Sequence, residues 1–163
     1  MRDDVPSVGR FAAPSEYRLA VDRVVRRGQR TLRVFDRNLE GAGFNAADRF
    51  DALRDFLLRG RENRLQFVLH DVAPLLRDHP RLLILLRQFS ASVSIHQTGP
   101  EARRVYDGII VADDAHYVHR FHFDHPRGEW VLNDIVRTQT LLRRFEEIWA
   151  ASVPAVAATT LGL

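Results

Sequence analysis

Tyr106-Asp107-Gly108-Ile109-Ile110-Val111-Ala112-Asp113 is the stretch on which the fold turns. Residues 105–112 are apolar and β-branched enough to predict a strand, and Asp113-Asp114 predicts the turn that ends it. Residues 117–123 and 130–132 predict two further strands, with Pro126-Arg127-Gly128 as the turn between them. Three strands in succession joined by short turns read as antiparallel. The sequence on the amino-terminal side of this stretch follows a different plan.

Residues 1–13 are expected to form a loose arm. Tyr17, Ala20, Val21, Val24 and Val25 recur at helical spacing on one face, and Gly28 closes that helix. Residues 31–35 predict a strand, Gly41-Ala42-Gly43 a loop, and Asn45 a helix cap with Asp48 three residues on. Phe50, Leu53 and Leu57 give that helix its buried face. A strand follows at 65–69. A helix starts at Pro74, restarts at Asp78-His79-Pro80 and continues through 82–89; the next strand is 91–95. This is α-β-α-β-α-β, whose strands run parallel through right-handed crossovers. After the three antiparallel strands, Leu141, Leu142, Phe145, Ile148 and Trp149 mark a last amphipathic helix. The tail 153–163 is apolar, and Pro154 blocks helix there. The fold class expected is α/β, a mixed sheet flanked by helices in a single domain.

Length and composition fit one ordinary globular core: 163 residues, 45% hydrophobic and 28% charged. There is no Cys, which excludes disulfides, zinc–thiolate sites and Cys nucleophiles. No run of about 18 apolar residues exists to span a membrane, and the charged start Met1-Arg2-Asp3-Asp4 lacks the apolar core of a secretory signal. A cytoplasmic bacterial protein is expected. All 24 basic residues are Arg, yet net charge is only +3. Arg23, Arg26, Arg27, Arg30 and Arg33 form the one local cluster, read as a solvated helix face, with phosphate or nucleic-acid binding as the alternative.

Open α/β sheets bind ligands beyond the carboxyl ends of their parallel strands. All three such ends are polar here: Asp36-Arg37-Asn38 with Glu40 behind, His70-Asp71, and His96-Gln97-Thr98. Their convergence predicts a ligand rim. Turn and cap chemistry explains the same residues without a ligand, and Asp71 in particular suits a cap before Pro74. His116, His119, His122 and His125 have a metal-like spacing, but on a strand successive side chains alternate faces, so no metal site and no cofactor is assigned. Arg120 and His122 fall on one face and are added as candidate contacts for a small anionic ligand; the other face, Tyr117 to Phe123, is expected to be the core one. No phosphate-binding Gly loop and no Gly-x-Ser-x-Gly elbow is present.

With this order of elements, Tyr106–Asp113 resembles the His-x-Lys-x4-Asp strand of phospholipase-D-like half-domains, over roughly residues 16–151. Asp113 matches the motif; Tyr106 stands at the His position and Gly108 at the Lys position. Phe145-Glu146-Glu147-Ile148-Trp149 is similar to the family's terminal helix. Phe35-Asp36-Arg37-Asn38-Leu39 and the ending Thr-Thr-Leu-Gly-Leu resemble a bacterial group of such domains, some fused to an acetyltransferase. The resemblance implies a homodimer through the face that joins halves, a possible acetyltransferase-domain partner, and loss of the family's reaction, since a His nucleophile and a Lys are both replaced. The leading expectation is therefore a non-catalytic binding or regulatory module. The alternatives are a hydrolase or transferase with acid–base groups relocated to His70, Asp71, His96 and His122, and a structural module that docks through its tail.

Overall fold

The computed structural model describes residues 4–158. An eight-stranded sheet crosses the whole molecule. In chain order the elements are β1 (Ser7–Phe11), α1 (Pro14–Val25), β2 (Thr31–Asp36), α2 (Ala47–Leu58), β3 (Arg64–Leu69), α3 (Ala73–Asp78), α4 (Pro80–Gln88), β4 (Val93–Thr98), β5 (Gly108–Ala112), β6 (His116–His122), β7 (His125–Leu132), α5 (Ile135–Ala150) and β8 (Ser152–Val156). The spatial order is β1-β7-β6-β5-β2-β3-β4-β8. β2, β3 and β4 are parallel, as the helical crossovers require; every other pairing is antiparallel. No helix among the described residues is long and apolar enough to cross a membrane.

Both faces of the sheet are covered, which explains the unbroken apolar run of β5. Leu32, Val34, Leu65, Phe67, Ile110 and Ala112 point to the layer of α1, α2, α3 and α4. Phe35, Val68, Ile109 and Val111 point to α5, against Leu141, Phe145 and Ile148. Phe35, Phe44, Phe56, Phe67 and Phe145 are fully buried; truncating any of them to Ala would cost about 3–5 kcal/mol. Tyr17, Ala20, Val21, Val24 and Val25 form the buried face of α1 as their spacing predicted, and the helix ends at Val25 with Arg26 as its cap, ahead of Gly28.

Five expectations change. The arm is not loose: Ser7–Phe11 is an edge strand paired with β7. β2 and β4 each run past their predicted ends, so Asp36 and His96 through Thr98 lie within strands, and β5 starts only at Gly108, leaving Tyr106 in the loop before it. Pro126-Arg127-Gly128 is not a turn but part of β7; the hairpin turns at Phe123-Asp124, and a bulge opposite Phe121 absorbs the proline, which cannot donate to a ladder. Gly128 is required there, because a Cβ would lie 2.0 Å from the His119 carbonyl oxygen. Asn45 does not cap α2, whose first flanking residue is Ala46; its side-chain oxygen accepts instead from the Arg81 amide of α4. The two faces of β6 are not core and rim: Val118 is buried on one and Tyr117 on the other, while Phe121 is 46% exposed. The tail begins by returning as β8 on β4; its last five residues, with the Thr-Thr-Leu-Gly-Leu ending, lie outside the described residues.

Candidate functional site

The carboxyl ends of β2, β3 and β4 form one edge of the sheet, and antiparallel pairing brings the start of β5 and the end of β6 to the same edge. On the α1 side this edge gathers Asp36, Gly108 and Arg120. A side chain added at Gly108 would start 3.4 Å from Asp36 Oδ1, 3.6 Å from Arg120 Cβ and 3.8 Å from the Phe123 ring, so a Cβ fits this buried position at ordinary contact distances. Asp36 is 6% exposed and accepts from the Leu39 amide at 2.6 Å, a turn that holds Leu39 at φ 70°. Burial pushes the Asp36 carboxyl above its usual range, against the Leu39 amide and the Arg120 charge. Beside it Tyr17 is buried, with the Arg120 guanidinium 4.8 Å over its ring. Burial, then the Asp36 charge, pushes the Tyr17 phenol well up. Arg120 Nε donates to the His125 carbonyl, which fixes the guanidinium.

The outer rim is Tyr106, His122, Arg37 and Asp124. Tyr106 is 53% exposed and stacks on His122 with ring centres 5.8 Å apart. Arg37 pairs with Asp124 at 2.9 Å and lies over Phe123. Asp124 also donates its amide to His122 Nδ1. Thus Asp36, Arg37, Arg120 and His122 converge. Asn38 is nearby, but its Oδ1 is used by the Glu40 amide, and Asp71 accepts from the Ala73 amide ahead of α3.

His70 and His96 face the other way, toward α5. His70 Nε2 donates to the Val105 carbonyl at 2.7 Å, which leaves Nδ1 to accept from the Thr98 hydroxyl at 2.7 Å. Its ring sits edge-on to Phe35 and Phe123. Both nitrogens are consumed. His96 stacks on Trp149 at 3.7 Å and bonds Ser152 Oγ through Nδ1, and burial lowers its pKa. On this same face is a cluster not singled out from sequence: Asp107, 7% exposed, takes a bidentate pair from Arg144 at 2.7 Å and a bond from His119 Nε2 at 2.7 Å. Burial alone would raise the Asp107 carboxyl; the His119 bond and the Arg144 charge outweigh it and hold it below the usual range. Two turns of α5 earlier, Arg137 bonds Glu129 and the Tyr117 hydroxyl, whose pKa burial and Glu129 push up to about 12. Among the described residues no group of three or more His, Asp or Glu is placed to hold a metal ion.

Asp113 stands at the opposite end of β5, ~17 Å from Gly108 at strand spacing. It occupies a left-handed turn at φ 55°, and its carboxylate accepts from the backbone amides of Gln29, Arg30 and Thr31 at 2.8–3.1 Å. Tyr106 and Gly108 therefore lie at the carboxyl edge of the parallel strands and Asp113 does not.

This topology is the phospholipase-D-like fold. Nuc from Salmonella typhimurium, a phospholipase D family member, superposes with a TM-score of 0.66 at 15% identity, covering 94% of this chain and all of that one. NucT from Helicobacter pylori gives 0.58 at 12% identity, with 93% and 100% covered. The archaeal chromatin protein TrmBL2 gives 0.66 at 13% identity, with 91% of this chain and 54% of that one covered. Among curated protein sequences none matches. The chain belongs to the family described as a domain of unknown function (DUF7931), whose model spans residues 13–161.

Proposed function

We propose that this domain is a binding module that recognises an anionic ligand at the carboxyl edge and does not carry out phosphodiester chemistry. The observation that supports this reading is the content of the two positions where the resemblance calls for His and Lys. Tyr106 is an exposed phenol with no general base hydrogen-bonded to it among the described residues, and Gly108 brings no side chain to a position beside a buried carboxyl. Arg37, Arg120 and His122 supply donors at that edge, and aromatic rings beneath both guanidinium groups order them before any ligand arrives. TrmBL2, a chromatin protein with its own mode of DNA binding, contains this fold over 54% of its chain, so the fold occurs within a binding protein.

The test has two arms. Hydrolysis of an activated phosphodiester should stay at the buffer rate. Inorganic phosphate or a phosphorylated metabolite should raise the Tm of the wild type and not that of Arg37→Ala or Arg120→Ala. Turnover that is lost in Tyr106→Phe or His122→Ala would overturn the reading.

The His119–Asp107 pair favours one other reading, an enzyme with a relocated acid–base group, because a carboxylate that orients an imidazole is how a general base is built. That reading requires a His119→Gln variant to lose a measurable turnover while keeping its fold.

A further inference from the structure

The amino ends of the parallel strands form the opposite edge, which the proposed ligand site does not use. The sequence cluster at Arg26, Arg27, Arg30 and Arg33 lies here, and the fold sets a second segment beside it. Arg59 donates through Nη2 to the Gly28 carbonyl at 2.9 Å, and the Arg64 amide donates to the Arg30 carbonyl at 2.9 Å, so the α2–β3 turn with Arg61 is tied against the α1–β2 turn. Three adjoining concavities of about 450–630 Å³ run along this edge and share Gln29. Arg26, Arg27, Arg30, Arg33, Arg59 and Arg61 line them, against four carboxylates, of which Asp113 is already occupied by three backbone amides.

Arginines near helix C-termini also offset the helix dipole, and Arg26 and Arg59 do so at the ends of α1 and α2. Arg30 and Arg61 do not: both are exposed, lie past the caps, and make no side-chain hydrogen bond or ion pair among the described residues. Arg26 bonds Asp22 through Nε, Arg33 bonds Thr31 and the Asp113 carbonyl through Nη1, and Arg59 uses Nη2, so these three keep further N–H groups for a partner.

We infer that this edge binds the phosphodiester backbone of a nucleic-acid duplex without reading its sequence. The multiplicity of guanidinium groups over three shallow concavities fits a repeated phosphate rather than one small anion. The lining decides between polyanions. Among the described residues Leu142 is its one apolar side chain and it contains no Phe, Tyr or Trp. A single strand needs aromatic platforms for its bases, and a membrane surface needs apolar side chains to enter it.

The experiment is fluorescence anisotropy of a labelled duplex of about 20 base pairs with the full chain, from 50 to 300 mM salt. If each of the six guanidinium groups displaces one counterion, log K against log salt has a slope of about −5. Arg30→Glu combined with Arg61→Glu should reduce that slope to about −3.5 and weaken binding about tenfold or more at 100 mM salt, with an unchanged circular dichroism spectrum. Arg103→Glu with Arg104→Glu, exposed at the other edge, should leave slope and affinity unchanged. DNA and RNA duplexes are compared directly, and binding of either supports the inference. No binding at 50 mM salt, a slope indifferent to the reversal at Arg30 and Arg61, tighter binding of a single strand, or preference for vesicles of anionic lipid would overturn it.

Discussion

The two ends of β5 each hold an acid among guanidinium groups and treat it in opposite ways. At the amino edge Asp113 gives its carboxylate to the backbone amides of three successive residues, Gln29 to Thr31, and so fastens the turn that starts β2. At the carboxyl edge Asp36 accepts from Leu39, is almost sealed from water, and has its pKa driven up. The first arrangement lowers the energy of the folded chain. The second works against it, and an acid kept in an unfavourable environment is how binding and catalytic groups are commonly held. The contrast separates Asp113, which fastens a turn, from Tyr106 and Gly108, which lie at the carboxyl edge of the parallel strands.

Substitutions can break that contrast. The largest effect is expected for Asp113→Ala, which strips three hydrogen bonds to a charged acceptor: a loss of about 3 kcal/mol, read as a fall in Tm of roughly 6–12 °C. A loss below about 1 kcal/mol would mean the turn holds itself. Next is Arg144→Ala, which leaves the Asp107 carboxylate with His119 alone; about 2 kcal/mol is expected, since Arg144 is itself part-exposed. This variant has a pH signature. The folded pKa of Asp107 lies below its ordinary value of 3.8, so its contribution is full above that value and lost as pH falls through the folded pKa. Arg144→Ala should therefore unfold in acid at a higher pH than the wild type, which circular dichroism would record.

Asp36→Asn tests the other end. A raised folded pKa means that ionising Asp36 destabilises the folded chain as pH rises past 3.8. The Asn variant should have an equal or higher Tm at pH 7, with the gain shrinking toward pH 4, and should bind phosphate differently. A large drop at pH 7 would show that Asp36 is structural after all. The smallest effect is expected for Gly108→Ala, within about 0.5 kcal/mol, because the added methyl makes only ordinary contacts.

Much of this architecture was legible because it is local. The helical spacing of Tyr17 to Val25 and the β-branched runs of β2 and β3 fix the parallel half from neighbours in sequence. β1 was not legible, since Ser7–Phe11 is a strand only by virtue of residues 128–132. The same holds for the turn misplaced at Pro126, where a bulge lets a proline sit inside a strand. At the site, strand ends announced Asp36 and Arg37, but not which way side chains point: β4 runs on through Thr98, and His70 and His96 turn toward α5. Asp107, His119 and Arg144 come from three elements whose register has no sequence signal, although Arg137 and Arg144, seven residues apart on one amphipathic helix, hint at a charged line along its edge.

The returning strand β8 has a consequence for how copies of this molecule can meet. An open sheet offers an unpaired backbone at each border, and two such borders allow growth without end. Here one border carries Pro154, which has no amide hydrogen to give, together with the extra residue Ala155 that bends the strand out of register. The other border, β1, has no proline within it. β8 is thus the poorer template for an added strand and β1 the better one, so the fold guards its two borders unequally.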